Sequence, residues 1–478
     1  MILAIDQGTT GTTCLVVDES LHPVGRGYRE IRQQFPEPGW VEHGPEEIWS
    51  SVIDTAEAAL ADAGITARDL IAVGITNQRE TVVVWERNTG RPVHNAIVWQ
   101  DRRTAARCAE LPAALVRERT GLVCDPYFSA TKLEWILGHT DIRQTDLLFG
   151  TIDSWLIWNL TGGAAHVTDI TNASRTMLLG LETGDWDEDL LDLFSVDRNM
   201  LPAVVPSAGV SAEATLLGVT LPVAGIAGDQ QAALFGQGCV EPGQAKATYG
   251  TGTFVLANVG NLAGPVQEGL LKTAAAVAPG AEPQFAAEGA VLVGGAVLQW
   301  LRDGLGVIES AAESERLARE VDSTDGVFFV PALTGLGSPH WDAGARGLIC
   351  GLTRGTTRAH LVRAALEGIA HQVTDIIDVL PVEADVLRAD GGATANRFLM
   401  QFQADLIGSP VEVARDSEAT ALGAAALAGL GVGIWSTVAE VAALLPPGGR
   451  YEPIMDVSER AQRREAWRRA LRRARSDV

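Results

Sequence analysis

Two carboxylates carry the chemistry this sequence can do. Asp6 closes an apolar run, Met1 to Ile5, and is followed by Gln7, Gly8, Thr9 and Thr10. A second β-like run, Thr12 to Val17, comes next. The pattern predicts a hairpin whose tip offers N–H groups, two hydroxyls and an anion. Such a tip can cradle a polyphosphate while its acid holds the accompanying Mg²⁺, directly or through water. Near the middle of the chain Asp229 ends the run that reaches Ile226, again beside a glycine, Gly228. Soon after it, Ala247 to Leu256 repeats the strand, Gly/Thr turn, strand order around Thr251. Two acids at a shared cleft suit phosphoryl transfer: one organises the metal, and the other takes a proton from the attacking hydroxyl.

Further groups fit a small hydroxylated substrate. Arg79 and Glu80 follow the predicted strand Ile71 to Ile75, and an adjacent donor and acceptor can grip neighbouring hydroxyls. Trp99, Tyr127 and Phe254 can wall the carbon edge of a polyol. Taken singly, an acid at a strand end caps a turn, an Arg-Glu pair is a surface ion pair, and an aromatic belongs to a core. The combination gives them a site. Other chemistries are excluded by motif. No glycine precedes any of the three lysines, Lys132, Lys246 and Lys272, so there is no P-loop. No G-x-G-x-x-G opens a helix after a strand, and H-E-x-x-H and G-x-S-x-G are absent.

These groups need elements to hold them. The first half alternates strand-like and helix-like segments, the pattern of an α/β domain. Thr81 to Trp85 reads as a strand. Pro45 to Leu60 reads as a helix, with Gly44 as cap and Ile48, Val52, Ala56 and Leu60 on one face. The repeated hairpin predicts two similar domains by internal duplication, 1–236 and 237–478, with a cleft between them. In the second half a Gly-rich turn, Asp390 to Asn396, lets backbone approach a flat ligand. A helix is expected over Arg397 to Asp405. Another, Arg-rich and solvated, is expected over Ser458 to Arg475 with Ser458 as its cap.

The chain has 478 residues and a net charge of −23, which repels nucleic acid and anionic membranes. Five scattered cysteines form neither a disulfide framework nor a zinc site. Gly289 to Leu298 and Ala421 to Trp435 are too short and Gly-rich to span a bilayer. The N-terminus enters a strand without a basic leader, so the expectation is a cytoplasmic protein without a signal peptide.

Seven blocks carry a resemblance: Asp6 to Thr10 (DQGTT), Pro38 to His43 (PGWVEH), Gly74 to Glu80 (GITNQRE), Asp125 to Ser129 (DPYFS), Gly225 to Gly236 (GIAGDQQAALFG), Thr248 to Gly252 (TYGTG) and Asp390 to Asn396 (DGGATAN). In this order they resemble the glycerol kinases of the FGGY carbohydrate kinase family. The resemblance implies two duplicated actin-like (ribonuclease-H-like) ATPase domains and ATP-dependent phosphorylation of glycerol to sn-glycerol 3-phosphate. It implies Asp229 as general base, with Arg79, Glu80, Tyr127, Asp229 and Gln230 bonded to glycerol and Trp99 and Phe254 packed on its carbons. Asp6 and Asp229 would hold Mg²⁺. Thr9, Thr10, Gly11, Thr13, Thr251, Gly295 and Gln299 would lie along the ATP phosphates, and Gly392 and Asn396 beside the adenosine. A homodimer or homotetramer is left open.

Two departures stand out. Family members usually continue the first motif with Ser-Ser-Arg; here Gly11, Thr12 and Thr13 follow, so an Arg facing nucleotide phosphate becomes a neutral Thr13. Lower nucleotide affinity is expected. The segment Ser211 to Leu221 lacks the Gly-Gly-x-Arg loop tied to fructose bisphosphate inhibition, and none is expected. Two alternatives remain: a kinase for another polyol or ketose, and an actin-like ATPase that needs no polyol.

Overall fold

The computed structural model describes residues 1–476 of the chain. The first sheet contains β1 (Ile2–Gln7), β2 (Gly11–Val17), β3 (Pro23–Glu30), β4 (Ala72–Asn77), β5 (Ala208–Leu216) and β6 (Val219–Gly228) in the order β5-β6-β4-β1-β2-β3. Its centre, β1, β4 and β6, is parallel, and the remaining pairings are antiparallel. The second sheet contains β7 (Ala245–Tyr249), β8 (Thr253–Gly260), β9 (Leu271–Ala274), β10 (Phe285–Val291), β11 (Leu387–Asp390), β12 (Val411–Ala414) and β13 (Pro447–Tyr451), ordered β9-β10-β8-β7-β11-β12-β13. Here β7, β11 and β12 are parallel. Reading β3-β2-β1-β4-β6-β5 against β10-β8-β7-β11-β12-β13 gives one pattern twice: three antiparallel strands, two parallel neighbours, one antiparallel edge. The repeat expected from the two Gly/Thr hairpins is present in the strand order.

Helices cover both faces of the first sheet, so its central strands run apolar over Ile2 to Ile5 and Ala72 to Ile75 rather than alternating, and turn polar only at their ends. Helix α1 (Pro45–Ala63) lies on one face. It runs one turn beyond the expected Leu60 and stops at Gly64, whose φ of 67° closes the C-terminus. At its start Gly44 gives no side-chain cap, and Pro45 occupies the first turn. Helix α2 (Asp229–Gly236) starts directly from β6. The second half of the chain supplies α3 (Ala296–Asp303), α4 (Arg358–Ile377), α5 (Arg397–Ile407) and α6 (Ala419–Gly431), and the last of these covers the other face. Although it comes late in the chain, α6 packs on the first sheet and on α2. Glycine makes this possible. A Cβ on Gly74 would lie 2.3 Å from the Ala424 carbonyl, and one on Gly423 would lie 1.9 Å from that of Ala232. The apolar, Gly-rich run from Ala421 is therefore a helix buried on nearly all sides. Among the described residues no helix is long and apolar enough to cross a membrane.

Two expectations need correction. The last helix, α7 (Val457–Ala474), is capped by Asp456, whose carboxylate accepts from the N–H groups of Ser458 and Glu459. An aspartate one residue outside the helix takes the cap before Ser458 can. The strand expected from Thr81 begins only at Val83. Glu80 sits at φ 60°, and Thr81 spends its hydroxyl on Gln78, so the chain is still turning there.

Candidate active site

Strand register assembles the site. Gln7 and Gly228 both pair with Asn77, so β1, β4 and β6 end level. Asp6, the turn Gln78 to Glu80, and Asp229 therefore lie along one edge of the sheet. The first hairpin tip reaches Trp99, whose Nε1 donates to Thr9 Oγ1 at 2.9 Å. The Trp99 ring meets Tyr127 edge-on at 5.5 Å and Phe254 of β8 at 6.3 Å. Through this aromatic wall the two hairpins face one space.

Arg79 is the hub, and only 2% of it is exposed. Its Nε lies 3.1 Å from Asp229 Oδ1. Its Nη2 donates to the Tyr127 hydroxyl at 3.3 Å. Its two terminal nitrogens donate to Glu288 of β10 at 2.6 and 3.2 Å. Glu80 lies 3.8 Å from Arg79 and accepts from Arg175 Nε at 2.6 Å. Arg175 also donates to Glu288 at 3.0 Å. Two guanidiniums and two carboxylates thus balance one another in the interior. Burial pushes the Glu80 carboxyl above its ordinary range against the pull of Arg79 and Arg175. Burial acts on Glu288 too, but there the two arginines outweigh it and hold the group down at about 2.

Asp229 keeps 31% of its side chain exposed and accepts from the Gln230 N–H at 2.7 Å. Gln230 in turn accepts from Lys246 Nζ at 2.5 Å, and the same ammonium donates to Thr248 at 2.7 Å. Burial lowers Lys246 to about 8, opposed by Asp390 and Asp229. Asp6 keeps some access to the cleft, yet loss of hydration pushes its carboxyl to about 8, helped by Asp229 and Glu418. Among the described residues no three metal-binding side chains come together. One or two carboxylates plus substrate phosphates is the usual way Mg²⁺ is held.

The other candidates form a second wall made mostly of backbone. Gly294, Gly295 and Ala296 donate their N–H groups to the carbonyls of Thr251 and Gly250, which docks the start of α3 on the second hairpin tip. A Cβ on Gly295 would sit 2.8 Å from the Gly250 oxygen. Thr10, Thr251, Gln299 and Gly392 are exposed. Gly391 has φ 91°, and its Cβ would strike the Tyr249 backbone at 2.6 Å. Three residues are placed differently. Gly11 packs against β3, where a Cβ would meet Arg29 and Tyr28 within 2.8 Å. Thr13 is buried directly across the hairpin from Asp6. Asn396 spends its side chain capping α5 and donating to Ser314.

Residues 1–236 match the N-terminal domain, and residues 245–432 the C-terminal domain, of the FGGY family of carbohydrate kinases. The chain belongs to this family. It is 52% identical to glycerol kinase 2 of Thermotoga maritima, covering 99% of this chain and 98% of that protein. It is 51% identical to the glycerol kinase of Deinococcus radiodurans, over 99% and 97%. The crystal structure of Plasmodium falciparum glycerol kinase with ADP superposes with a TM-score of 0.92 at 36% identity, covering 99% of this chain and 98% of that one. Sequence reasoning singled out Arg79 and Asp229, which lie 3.1 Å apart, but not their buried neighbours Arg175, Lys246 and Glu288. Glu288 was the findable one: a lone acid inside the apolar strand Phe285–Val291 must have a buried partner.

Proposed function

We propose that this FGGY kinase transfers the terminal phosphoryl group of ATP to glycerol, giving sn-glycerol 3-phosphate and ADP. The observation that carries the reading is the convergence of Arg79, Glu80, Tyr127 and Asp229 under the Trp99–Phe254 wall. Donors and acceptors stand side by side there, with an apolar cover for the C–H edge of a polyol. Arg79 and Tyr127 bind glycerol hydroxyls, Glu80 and Gln230 complete the grip, and Trp99 and Phe254 exclude water. Asp229 accepts the proton of the attacking hydroxyl, which it can do because part of its carboxylate faces the cleft. Thr9, Thr10, Thr251, Gly295 and Gln299 flank the phosphates, while the open face at Gly392, next to Asn396, receives the nucleoside. Gly11 and Thr13 shape the first hairpin from inside. Asp6 and Asp229 would hold Mg²⁺, which would neutralise phosphate charge. The working division is 1–236 for the polyol and the first phosphate turn, and 237–478 for the nucleotide.

The relatives named as glycerol kinases favour glycerol over other polyols and ketoses. The test is coupled measurement of ADP release with glycerol, other polyols and ketoses. Glycerol should give the highest kcat/KM. Equal ATP turnover without any polyol would overturn the reading in favour of a switching ATPase. Ser211 to Leu221 forms an edge hairpin without paired glycines and arginine. Fructose bisphosphate should therefore leave the rate unchanged, which the same assay checks.

A further inference from the structure

Arg175 and Glu288 stand behind the polyol pocket, and neither faces it. Both side chains are 0% exposed, so neither can touch a substrate. Arg175 lies over the rings of Tyr127 and Phe128, centroid distances 5.5 and 5.1 Å, on the inner side of the aromatic wall. Glu288 comes from β10 in the second half of the chain, whereas Arg79, Glu80 and Arg175 come from the first.

We propose that the Arg175–Glu288 ion pair is a positioning couple that clamps the substrate-facing Arg79 and Glu80, with Glu288 acting across the domain boundary. This rests on the reading of the pocket as the glycerol site. Three features of the geometry support it. First, Glu288 takes both terminal nitrogens of Arg79, at 2.6 and 3.2 Å, which leaves Nε directed at Asp229 and one rotamer for the side chain. A bidentate carboxylate fixes a guanidinium in plane as well as in place. Second, Arg175 joins the two carboxylates: Nε to Glu80 at 2.6 Å and Nη2 to Glu288 at 3.0 Å. Glu80 needs such an anchor, because its backbone sits at φ 60°, a conformation that a non-glycine residue keeps only when its surroundings hold it. Third, the charges close: removing one member leaves the buried cluster with one uncompensated charge, while removing both leaves Arg79 and Glu80 balanced. Since one of the four charges belongs to the second half, the clamp exists only with the halves in this arrangement. Glycerol affinity should therefore depend on how the second domain is seated.

The test compares Glu288→Gln and the double variant Glu288→Gln/Arg175→Gln with the wild type. Initial rates are measured at varied glycerol and at varied ATP, with thermal unfolding alongside. Both variants should raise the glycerol KM about tenfold to a hundredfold, as expected for losing charged hydrogen bonds. The ATP KM should stay within twofold. If Glu288→Gln alone does not fold, the double variant carries the test, because its buried charge is balanced. The proposal is overturned if the double variant keeps a glycerol KM within twofold of wild type, or if both KM values rise together as the unfolding temperature falls. A wild type that does not turn over glycerol would sink the pocket reading instead, so the two failures are distinguishable.

Discussion

The two walls of the cleft are built from opposite materials. On the polyol side the working atoms are side chains, locked by a buried lattice of two arginines and two glutamates. On the side proposed for the nucleotide they are largely bare Cα positions, at Gly250, Gly295, Gly391 and Gly392. The difference teaches how each wall achieves its task. Three neighbouring hydroxyls need directional partners, and holding those partners still takes charge pairs out of water. Phosphates and a flat base need close backbone approach, and glycine supplies it. A substitution on the first wall should therefore damage chemistry or polyol affinity, and one on the second should damage nucleotide affinity.

The largest effect should come where the walls meet. Asp229→Asn removes the proton acceptor and should lower kcat about 10²- to 10⁴-fold, the range general bases contribute. Equilibrium binding of ADP should change only a few-fold. Near-normal turnover would end the assignment of Asp229. On the polyol wall, Glu80→Ala removes an acceptor and leaves Arg175 with one partner fewer. A loss in glycerol kcat/KM of about tenfold to a hundredfold is expected from one charged hydrogen bond. A polyol and ketose panel on the variant sharpens the contrast: glycerol should lose most.

On the backbone wall, Gly391→Ala must adopt φ 91° and drive its Cβ into the Tyr249 backbone. Such strain costs about 1–3 kcal/mol. The ATP KM should rise while the glycerol KM stays put, which kinetics at two fixed co-substrate levels would check. A rise in both would erase the division of labour.

How much of this could be read beforehand follows the same split. The glycines and threonines of the hairpin tips, the acids at the strand ends and the Arg79-Glu80 pair are local patterns, and each sits at the sheet edge where its spacing put it. Domain duplication was legible because it repeats a short motif. Arg175 and Glu288 were not, because their partners lie 113 residues apart in sequence and meet only through tertiary packing. Burial of the lysines was not legible either: Lys132, Lys246 and Lys272 are all buried. Lys132 holds the carbonyls of Pro126 and Tyr127, and Lys246 holds Gln230, so two of the three brace the pocket. A compact ammonium reaches several oxygens at once where a planar guanidinium does not fit. Asn396 shows another limit of local pattern: a side chain beside a Gly-rich turn is also placed to cap the helix that follows, and here it does so.

Lys246 also makes the polyol wall sensitive to pH. Its ammonium falls from 10.5 to about 8. The charge that holds Gln230 is therefore lost as pH rises through about 8, and turnover of glycerol should decline there. Stability should move the other way. Between about 8 and 10.5 the unfolded chain still binds this proton and the folded chain does not, so unfolding free energy rises with pH. Lys132, lowered to about 8 by burial, adds a contribution of the same sign. Lys246→Met should flatten the decline in rate. If wild-type rate and stability fall together above pH 8, the limb belongs to another group.

The smallest effect tests a neutral residue on the hairpin that carries Asp6. Thr13 stands directly opposite Asp6 in the antiparallel register, so both side chains leave the same face of the sheet. Burial, with Asp229 and Glu418 nearby, pushes the Asp6 carboxyl to about 8. Thr13→Arg would bring a guanidinium beside that carboxyl and toward the phosphates. Charge-assisted bonds are roughly twice as strong as neutral ones, so the ATP KM should drop about two- to fivefold. The glycerol KM should not move, since the Arg79 cluster draws its charges from elsewhere. The check is initial rates at varied ATP under fixed Mg²⁺ and glycerol. An unchanged ATP KM would mean that the backbone glycines alone set nucleotide affinity, and that the contrast between the two walls is sharper than the Asp6 hairpin suggests.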